Sequence, residues 1–236
     1  KIPQNARCVC GVFVHRLVHC CALLDCCDTV FIITHSAICV KLAIFGKTTY
    51  NKANNLLEGA WLMSRIFIQR GDITQCTTDA IVNAANTSLL GGGGVDGAIH
   101  RAAGPELLAE CRTLGGCRTG EAKATRAYRL PCRYVIHTPG PIWRGGHAGE
   151  AVLLAGCYQN CLRIASELNC KTVAFPSIST GVYRFPLNRA AEIAIRTIEE
   201  YLSTHAEIEQ VSMICFDGTT LSAYQNALSE WEANHV

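Results

Sequence analysis

Short apolar segments alternate with amphipathic segments from residue 65 to residue 231 of this 236-residue chain. Short apolar runs bounded by glycine, proline and polar clusters are typical of buried strands, whereas apolar positions three and four apart indicate helices. The predicted strands are residues 66–69, 80–83, 122–130, 134–137, 171–175 and 207–216. The predicted helices are residues 95–103, 106–114, 150–168, 187–202 and 219–231, the first with Val95, Ala98, Ile99 and Ala102 on one face. This alternation predicts an α/β fold, a three-layer α/β/α sandwich with a mixed, mostly parallel sheet.

A glycine-rich loop between the second strand and the first helix carries the largest cluster of candidate functional residues. Asn83 and Asn86 precede four glycines at positions 91–94, and Asp96 and His100 follow them. Glycines let a ligand approach the backbone closely, and the N–H groups at a helix start attract an anion. Asp96 and His100 are four residues apart, so they share a helical face. Each feature alone also fits a flexible loop, a helix cap or a structural histidine, but their combination favours a ligand site.

Four predicted loops lie at the carboxyl ends of strands, where α/β sheets bind ligands. They are residues 71–73, 83–96, 176–186 and 216–218. The third is a second glycine-containing loop before a helix, so the pair predicts a diphosphate ligand, although Ser179-Thr180-Gly181 alone also fits a polar turn. Asp72 equally fits a turn cap, and Phe216 fits either a core residue or the flank of a purine.

The charge of the chain is nearly balanced, with 21 Lys/Arg and 19 Asp/Glu. Residues 63–236 contain fifteen basic and sixteen acidic residues, so a basic stripe for nucleic acid is not expected. The apolar stretch at residues 29–45 is interrupted by His35 and Lys41, which makes it short and broken for a membrane helix. No signal-peptide layout is present. We therefore expect neither a membrane nor a nucleic acid as a partner.

Residues 1–62 differ in composition from the rest, with seven of the 15 cysteines before residue 40. Their spacing around His15 and His19 fits no common zinc finger, and Gly46-Lys47-Thr48 lacks the earlier glycine of a P-loop. We predict a Cys-rich N-terminal extension at 1–62 and a domain at 63–236. The extension is either upstream sequence translated ahead of the true start or a dispensable native segment. The other eight cysteines form no C-x-x-C pair, which predicts reduced thiols in a cytoplasmic protein.

Four motifs in order resemble those of the macrodomain family, specifically its MacroD-type branch. They are Gly71-Asp72-Ile73-Thr74, Asn83-Ala84-Ala85-Asn86, the sequence GGGGVDGAIHRAAG at residues 91–104, and the sequence STGVYRFP at residues 179–186. The resemblance extends from about Met63 to the C-terminus and does not cover residues 1–62. It departs at Arg184, where the family more often has glycine, and this side chain would crowd or clamp the loop.

The resemblance implies an ADP-ribose site. Asp72 would accept a hydrogen bond from the adenine amino group, Ile73 would support the adenine and Phe216 would line it. Asn86 and Asp96 would face the distal ribose with His100 beside them, and these three form the expected catalytic set. The residues expected to contact the ligand are Asp72, Ile73, Asn83, Ala85, Asn86, Gly91, Gly92, Gly93, Gly94, Val95, Ser177, Ser179, Thr180, Gly181, Val182, Tyr183 and Phe216.

The activity implied by the resemblance is ester hydrolysis on ADP-ribose. The expected partners are ADP-ribose, O-acetyl-ADP-ribose and proteins ADP-ribosylated on aspartate or glutamate. Asp96 would orient or deprotonate a water with help from His100, and no cofactor or metal is expected. A non-catalytic ADP-ribose reader is the alternative, since a reader needs the phosphate loops but no water-activating group. An RNA-binding module is disfavoured by the net charge of −1 over residues 63–236.

Overall fold

A computed structural model of the chain describes residues 29–33, 39–43 and 64–235. The chain divides into two compact units at Met63. In the first unit, strands β1 (Thr29–Ile33) and β2 (Cys39–Ala43) pair in antiparallel fashion. Most of residues 1–62 lie outside the described residues, including the six cysteines before residue 28, His15, His19 and the rejected P-loop sequence.

The second unit is built on a six-stranded sheet. Its strands are β3 (Ile66–Arg70), β4 (Ala80–Ala85), β5 (Lys123–Arg126), β6 (Tyr134–Pro139), β7 (Thr172–Phe175) and β8 (Gln210–Cys215). They lie in the order β3-β8-β7-β4-β6-β5. Every neighbouring pair is parallel except β5 with β6, so the predicted mixed, mostly parallel sheet is confirmed.

Helices cover both faces of this sheet. They are α1 (Gly94–Ala103), α2 (Pro105–Thr113), α3 (Glu150–Glu167), α4 (Leu187–Leu202) and α5 (Gly218–His235), and a short 3-10 turn covers Ile73–Gln75. Alternate side chains of a strand point to opposite faces of the sheet, and each face has its own buried cluster. Val82 of β4 packs with α3, α4 and α5, whereas Ile81 packs with α1 and α2. The three-layer sandwich is therefore confirmed, and Asn83 shares the α1 side with Ile81.

One predicted strand is much shorter in the structure. Residues 122–130 were expected to be extended, but β5 ends at Arg126 and a turn follows, in which Tyr128 has a φ of 56°. Ala127 and Leu130 are buried in the cluster beneath α1 and α2. The apolar side chains after Arg126 therefore fold back into the core instead of extending the strand. Smaller differences occur at the start of β8, which begins at Gln210 and not at residue 207.

Helix α1 is rotated relative to the predicted apolar face. Ile99 and Ala103 are fully buried, whereas Ala102 is exposed, so the prediction for Ala102 is wrong. The carboxylate of Asp96 points inward and bonds to Asn83 of β4. A polar contact, absent from any apolar pattern, sets the rotation of the helix.

Among the described residues, we find no helix with the length and apolarity needed to cross a bilayer.

Candidate active site

A cavity of about 820 Å³ opens at the carboxyl ends of β3, β4, β7 and β8. These are the strand ends that the sequence singles out, and in open α/β sheets ligands bind at this edge. Side chains and backbone from all four predicted loops line the cavity. Of the residues predicted to form the site, those that line it are Asp72, Ile73, Ala85, Asn86, Gly92, Gly93, Gly94, Val95, Asp96, Ser177, Ser179, Thr180, Gly181, Val182, Tyr183 and Phe216.

Three predicted site residues stand behind the cavity wall. Asn83, Gly91 and His100 do not line the cavity. Asn83 is completely buried, and Gly91 covers the ring of His100, which a Cβ at this glycine would approach to 3.7 Å. The structure therefore gives these three residues a supporting position and not a lining one.

Glycine is required in the first loop because the backbone packs against the start of α1. A Cβ on Gly97 would lie 2.5 Å from the carbonyl oxygen of Gly92, and a Cβ on Gly92 would lie 2.9 Å from Oδ2 of Asp96. Real Cβ atoms do not approach that closely. The missing side chains let the loop rest on the helix, with Gly92 directly beside Oδ2 of Asp96.

The two carboxylate oxygens of Asp96 have different surroundings. Oδ1 accepts a hydrogen bond from Nδ2 of Asn83 at 2.7 Å, whereas Oδ2 is buried and has no hydrogen-bond partner. The residue itself is only 3% exposed but lines the cavity. A buried carboxylate with one anchored and one unpartnered oxygen is a candidate general base.

His137 of β6 completes the support of Asp96. It lies opposite Asn83 in the β4–β6 register, and Nδ2 of Asn83 is 3.1 Å from Nδ1 of His137. Because that amide nitrogen can only donate, Nδ1 accepts and the ring proton lies on Nε2, which bonds Thr125 Oγ1 at 2.9 Å. Burial, followed by the nearby His100, lowers the pKa of His137 to about 3. The imidazole is therefore neutral and remains an acceptor for Asn83.

His137 was not identified from the sequence as a functional residue. A single histidine in a strand that is otherwise apolar has no spacing signal, and only its position opposite Asn83 reveals its partner.

His100 lies behind Asp96 on the same face of α1, as predicted. Its Nε2 is 3.4 Å from Oδ1 of Asp96, and this nitrogen is buried without a hydrogen bond. The ring is mostly covered, with 12% of the side chain exposed. His100 therefore contacts the anchored oxygen of Asp96 and not the free one.

Asn86 shapes the glycine loop from within. Its Nδ2 donates to the carbonyl oxygen of Gly91 at 2.8 Å, and its Oδ1 accepts from the backbone N–H and the hydroxyl of Ser88. The amide also lines the cavity. Asn86 therefore combines a wall position with a role in holding the loop that covers Asp96.

The second loop, residues 176–186, carries a strained serine at its centre. Ser179 has a φ of 65°, and its buried Oγ has no hydrogen-bond partner. A Cβ on the facing Gly140 would lie 2.1 Å from that oxygen, so a glycine is needed there. A buried unpaired hydroxyl and a left-handed backbone both cost free energy, and such strain is typical of ligand-binding loops.

The backbone conformation of Arg184 explains why the family more often has glycine at this position. Its φ is 56°, and its N–H donates to the carbonyl oxygen of Gly181 at 2.9 Å. Glycine adopts this left-handed region without a steric cost, whereas arginine does not. The Arg184 side chain is exposed and does not line the cavity, so it does not fill the site.

One part of the cavity wall is apolar and could contact a planar ring. Phe216, directly after β8, is 85% exposed, and the buried Ile73 also lines the cavity. Asp72 is exposed, and its Oδ1 accepts from the N–H and hydroxyl of Thr74, so it also caps the 3-10 turn. Asp72 therefore caps the turn and lines the cavity at the same time.

Within residues 64–235, one group brings three potential metal ligands within 4.8 Å of one another: His100, Cys111 and His137. Burial, followed by Glu110 and Asp96, raises the pKa of the Cys111 thiol to about 11. A metal would also require the Nε2 lone pair of His137, but that nitrogen carries the proton bonded to Thr125. Moving the proton to Nδ1 would set it against the Asn83 amide N–H. The local hydrogen bonds therefore disfavour a metal at this point.

The domain is thus an α/β/α sandwich whose cavity has a glycine loop and a buried acid in its wall. Comparison with known proteins agrees. A family model described as the Macro domain matches residues 82–194. A macro domain-containing protein of Chlorobaculum tepidum is 62% identical over 160 residues, covering 68% of this chain and 93% of the relative. The chain belongs to the macrodomain family.

Further relatives carry more specific names. A Salmonella typhimurium protein named O-acetyl-ADP-ribose deacetylase is 50% identical over 173 residues, covering 72% of this chain and 97% of that protein. Among solved structures, the Oceanobacillus iheyensis macrodomain with ADP superposes with a TM-score of 0.68 at 45% identity, covering 71% of this chain and 91% of that one. The Trypanosoma brucei macrodomain in complex with ADP-ribose gives 0.66 at 43% identity, covering 70% and 69%.

Proposed function

We propose that this chain binds ADP-ribose in the cavity and hydrolyses esters formed on its distal ribose. The substrates are O-acetyl-ADP-ribose and proteins carrying ADP-ribose on aspartate or glutamate, as in the MacroD-type branch. The observation that carries the proposal is Asp96, a buried carboxylate with one anchored and one unpartnered oxygen at the cavity wall. The relatives named as deacetylases and the neighbour with bound ADP-ribose support it.

The binding part of the proposal follows from the two loops. The free N–H groups at the start of α1 and the backbone of residues 179–183 line the same cavity and suit the two phosphates. The adenine stacks beside Phe216, and Asp72 accepts its amino hydrogen. Asn86 and Asp96 then face the distal ribose.

The chemical part uses Asp96 as the base. Its Oδ2 takes a proton from a water, and the water oxygen bonds the ester carbonyl carbon. The bond from that carbon to the ribose oxygen breaks, and the ribose oxygen receives the proton that Asp96 holds. The products are a carboxylic acid and a free ribose hydroxyl. Asn83 and His100 act on Oδ1 and hold the carboxylate in place.

Asp96→Ala tests enzyme against reader. The variant should keep most ADP-ribose affinity, because backbone N–H groups hold the phosphates, and should lose about 10²–10⁴ in turnover of O-acetyl-ADP-ribose. Removing a carboxylate near an anion even favours binding. Calorimetry with ADP-ribose and product analysis measure the two quantities on the same preparations, with the isosteric Asp96→Asn as the matched control.

A non-catalytic reader is the competing function. It is supported if wild type binds ADP-ribose but turns over neither O-acetyl-ADP-ribose nor an ADP-ribosylated glutamate peptide. If Asp96→Ala lowers turnover and affinity by the same factor, Asp96 is a binding residue and the proposed chemistry is wrong.

We also propose that residues 63–236 form the functional domain by themselves and act in the cytoplasm. The eight cysteines of residues 64–235 are free thiols, a state that suits a reducing compartment.

A further inference from the structure

Hydroxyl groups of Tyr158, Tyr224 and Ser177 form a chain from the core to the cavity. Tyr158 of α3 and Tyr224 of α5 are both fully buried, and their oxygens lie 3.2 Å apart. The Tyr224 oxygen is 3.1 Å from Oγ of Ser177, which lines the cavity beside the second loop. Neither tyrosine lines the cavity. The chain therefore connects two residues without ligand access to one that has it.

The direction of the hydrogen bonds is fixed at the Ser177 end. The Tyr224 hydroxyl donates to Ser177 Oγ. The Thr180 hydroxyl donates to the same oxygen at 2.7 Å, which is closer than its other acceptor, the Ser177 carbonyl oxygen at 3.2 Å. A serine hydroxyl has two acceptor lone pairs and one hydrogen. With both lone pairs occupied, Ser177 has only its own hydrogen left to offer. Because Tyr224 gives its hydrogen to Ser177, the bond between the tyrosines must be donated by Tyr158.

We propose that Tyr224 is a positioning residue that makes Ser177 an obligate hydrogen-bond donor to a diphosphate oxygen of the ligand. Tyr158 occupies an acceptor site on Tyr224 and leaves the Tyr224 hydrogen for Ser177. Donors aligned in series polarise one another, and a donor facing an anion makes a stronger bond than one facing a neutral group. The proposal rests on ADP-ribose binding as proposed above and adds a determinant of affinity that does not contact the ligand.

A purely structural role is the competing explanation, since buried tyrosine hydroxyls generally need a partner. The two explanations differ in what happens when Ser177 is removed. If Tyr224 acts through Ser177, its hydroxyl has no effect on affinity once Ser177 is alanine. If it only stabilises the fold, its effect is independent of Ser177.

The test is a double-mutant cycle measured by calorimetry with ADP-ribose. We expect Ser177→Ala to weaken binding about 10-fold or more and Tyr224→Phe about 3- to 10-fold, because the lost bonds face an anion. The double variant should bind as Ser177→Ala does. Tyr201→Phe is the matched control: this tyrosine also pairs with a serine, Ser166, at 3.1 Å, but neither residue lines the cavity. The ADP-ribose affinity of Tyr201→Phe should equal that of wild type.

Two results would overturn the proposal: Tyr224→Phe binding within 2-fold of wild type, or additive effects in the double variant. Should Tyr224→Phe not fold, the hydroxyl proton of Tyr224 is followed by NMR in tyrosine-labelled wild type. ADP-ribose must then shift that resonance in wild type but not in Ser177→Ala, and an unshifted resonance contradicts the relay. Absence of any ADP-ribose binding by wild type instead rejects the proposed function, so the two failures are distinguishable.

Discussion

The two carboxylate oxygens of Asp96 have different contacts in this site. Oδ1 is held by Asn83 and faces His100, whereas Oδ2 is left without a partner beside Gly92. An unpaired buried acceptor costs free energy, and a carboxylate near a diphosphate opposes binding. Both costs are understandable if Oδ2 serves a reaction and not ligand affinity. The glycine at position 92 is part of the same arrangement, because a Cβ there would lie 2.9 Å from that oxygen.

His137 is predicted to make folding stability depend on pH in a defined range. Its pKa is about 3 in the folded protein against 6.5 as the reference value, so the unfolded chain binds the extra proton between these values. Stability therefore falls as pH decreases from 7.5 to 4.5, by about 2–3 kcal/mol from this residue. His137→Gln should remove that part of the dependence while offering Asn83 an acceptor.

Urea unfolding of both proteins at several pH values measures the difference. Glu199, whose pKa is raised by burial, is present in both proteins and cancels. The carboxylate of Glu150 has a pKa of about 2, lowered by its own backbone N–H and those of Arg144, Gly146 and Ala148, so it contributes below this range. Parallel pH curves for wild type and His137→Gln would show that His137 is not a buried neutral group.

What the sequence could predict at this scale depended on spacing. Asp96 and His100 are four apart on one helix, and their proximity followed directly. The contact between Asn83 and His137 joins two strands across 54 residues and depends on register, which no local pattern contains. For the same reason Asn83 was predicted to touch the ligand, whereas its buried amide contacts Asp96.

At the scale of elements, the second loop is tied to its neighbour. The N–H of Trp143 donates to the carbonyl oxygen of Tyr183 at 2.9 Å, and the Trp143 ring packs on Phe185 at 4.7 Å between ring centroids. Glu150 in turn accepts from three N–H groups of the segment 144–148. The loop at residues 176–186 is thereby supported by the segment 143–148, which is itself held at the start of α3.

Arg184→Gly should stabilise the protein by about 0.5–1 kcal/mol. The residue has a φ of 56° and an exposed side chain, so glycine relieves backbone strain without removing a buried contact. Chemical denaturation measures the change. Arg196→Gly is the matched control: this arginine is exposed within α4, and glycine there should destabilise by about 1 kcal/mol. A loss of stability in both variants would mean that the Arg184 side chain stabilises the loop.

The hydrophobic pattern predicts the order of the helices and strands better than it predicts their ends. The order of strands and helices and the carboxyl-end loops could be predicted, because apolar runs and glycines mark them. The end of β5 could not, since Ala127 and Leu130 are apolar in either a strand or an inward turn. Likewise the rotation of α1 follows a polar bond from Asp96 that hydrophobic periodicity does not record.

The second unit contains both buried clusters and every residue that lines the cavity. Its first residues are anchored within it: Arg65 donates to the carbonyl oxygens of Ile208 at 2.8 Å and His205 at 3.0 Å, and also to that of Leu202. Ser64 donates to Glu199. These bonds tie the start of the unit to the end of α4 and to the segment that follows it, residues 203–208. Ser64 and Arg65, which precede the first strand of the sheet, therefore contribute to the stability of the unit.

A chain that begins at Met63 should retain the melting temperature of the second unit and the ADP-ribose affinity of the full chain. The reason is that Ser64, Arg65 and both cores remain. A chain that begins at Ile66 is the matched control: it keeps every strand and helix of the unit but loses the Arg65 donors, so its melting temperature should fall by several degrees. Scanning calorimetry and ADP-ribose titration compare the three proteins. If the Met63 chain aggregates or binds more weakly than the full chain, residues 1–62 contribute to the fold and the predicted boundary is wrong. If both truncated chains melt alike, the Arg65 contacts do not stabilise the unit.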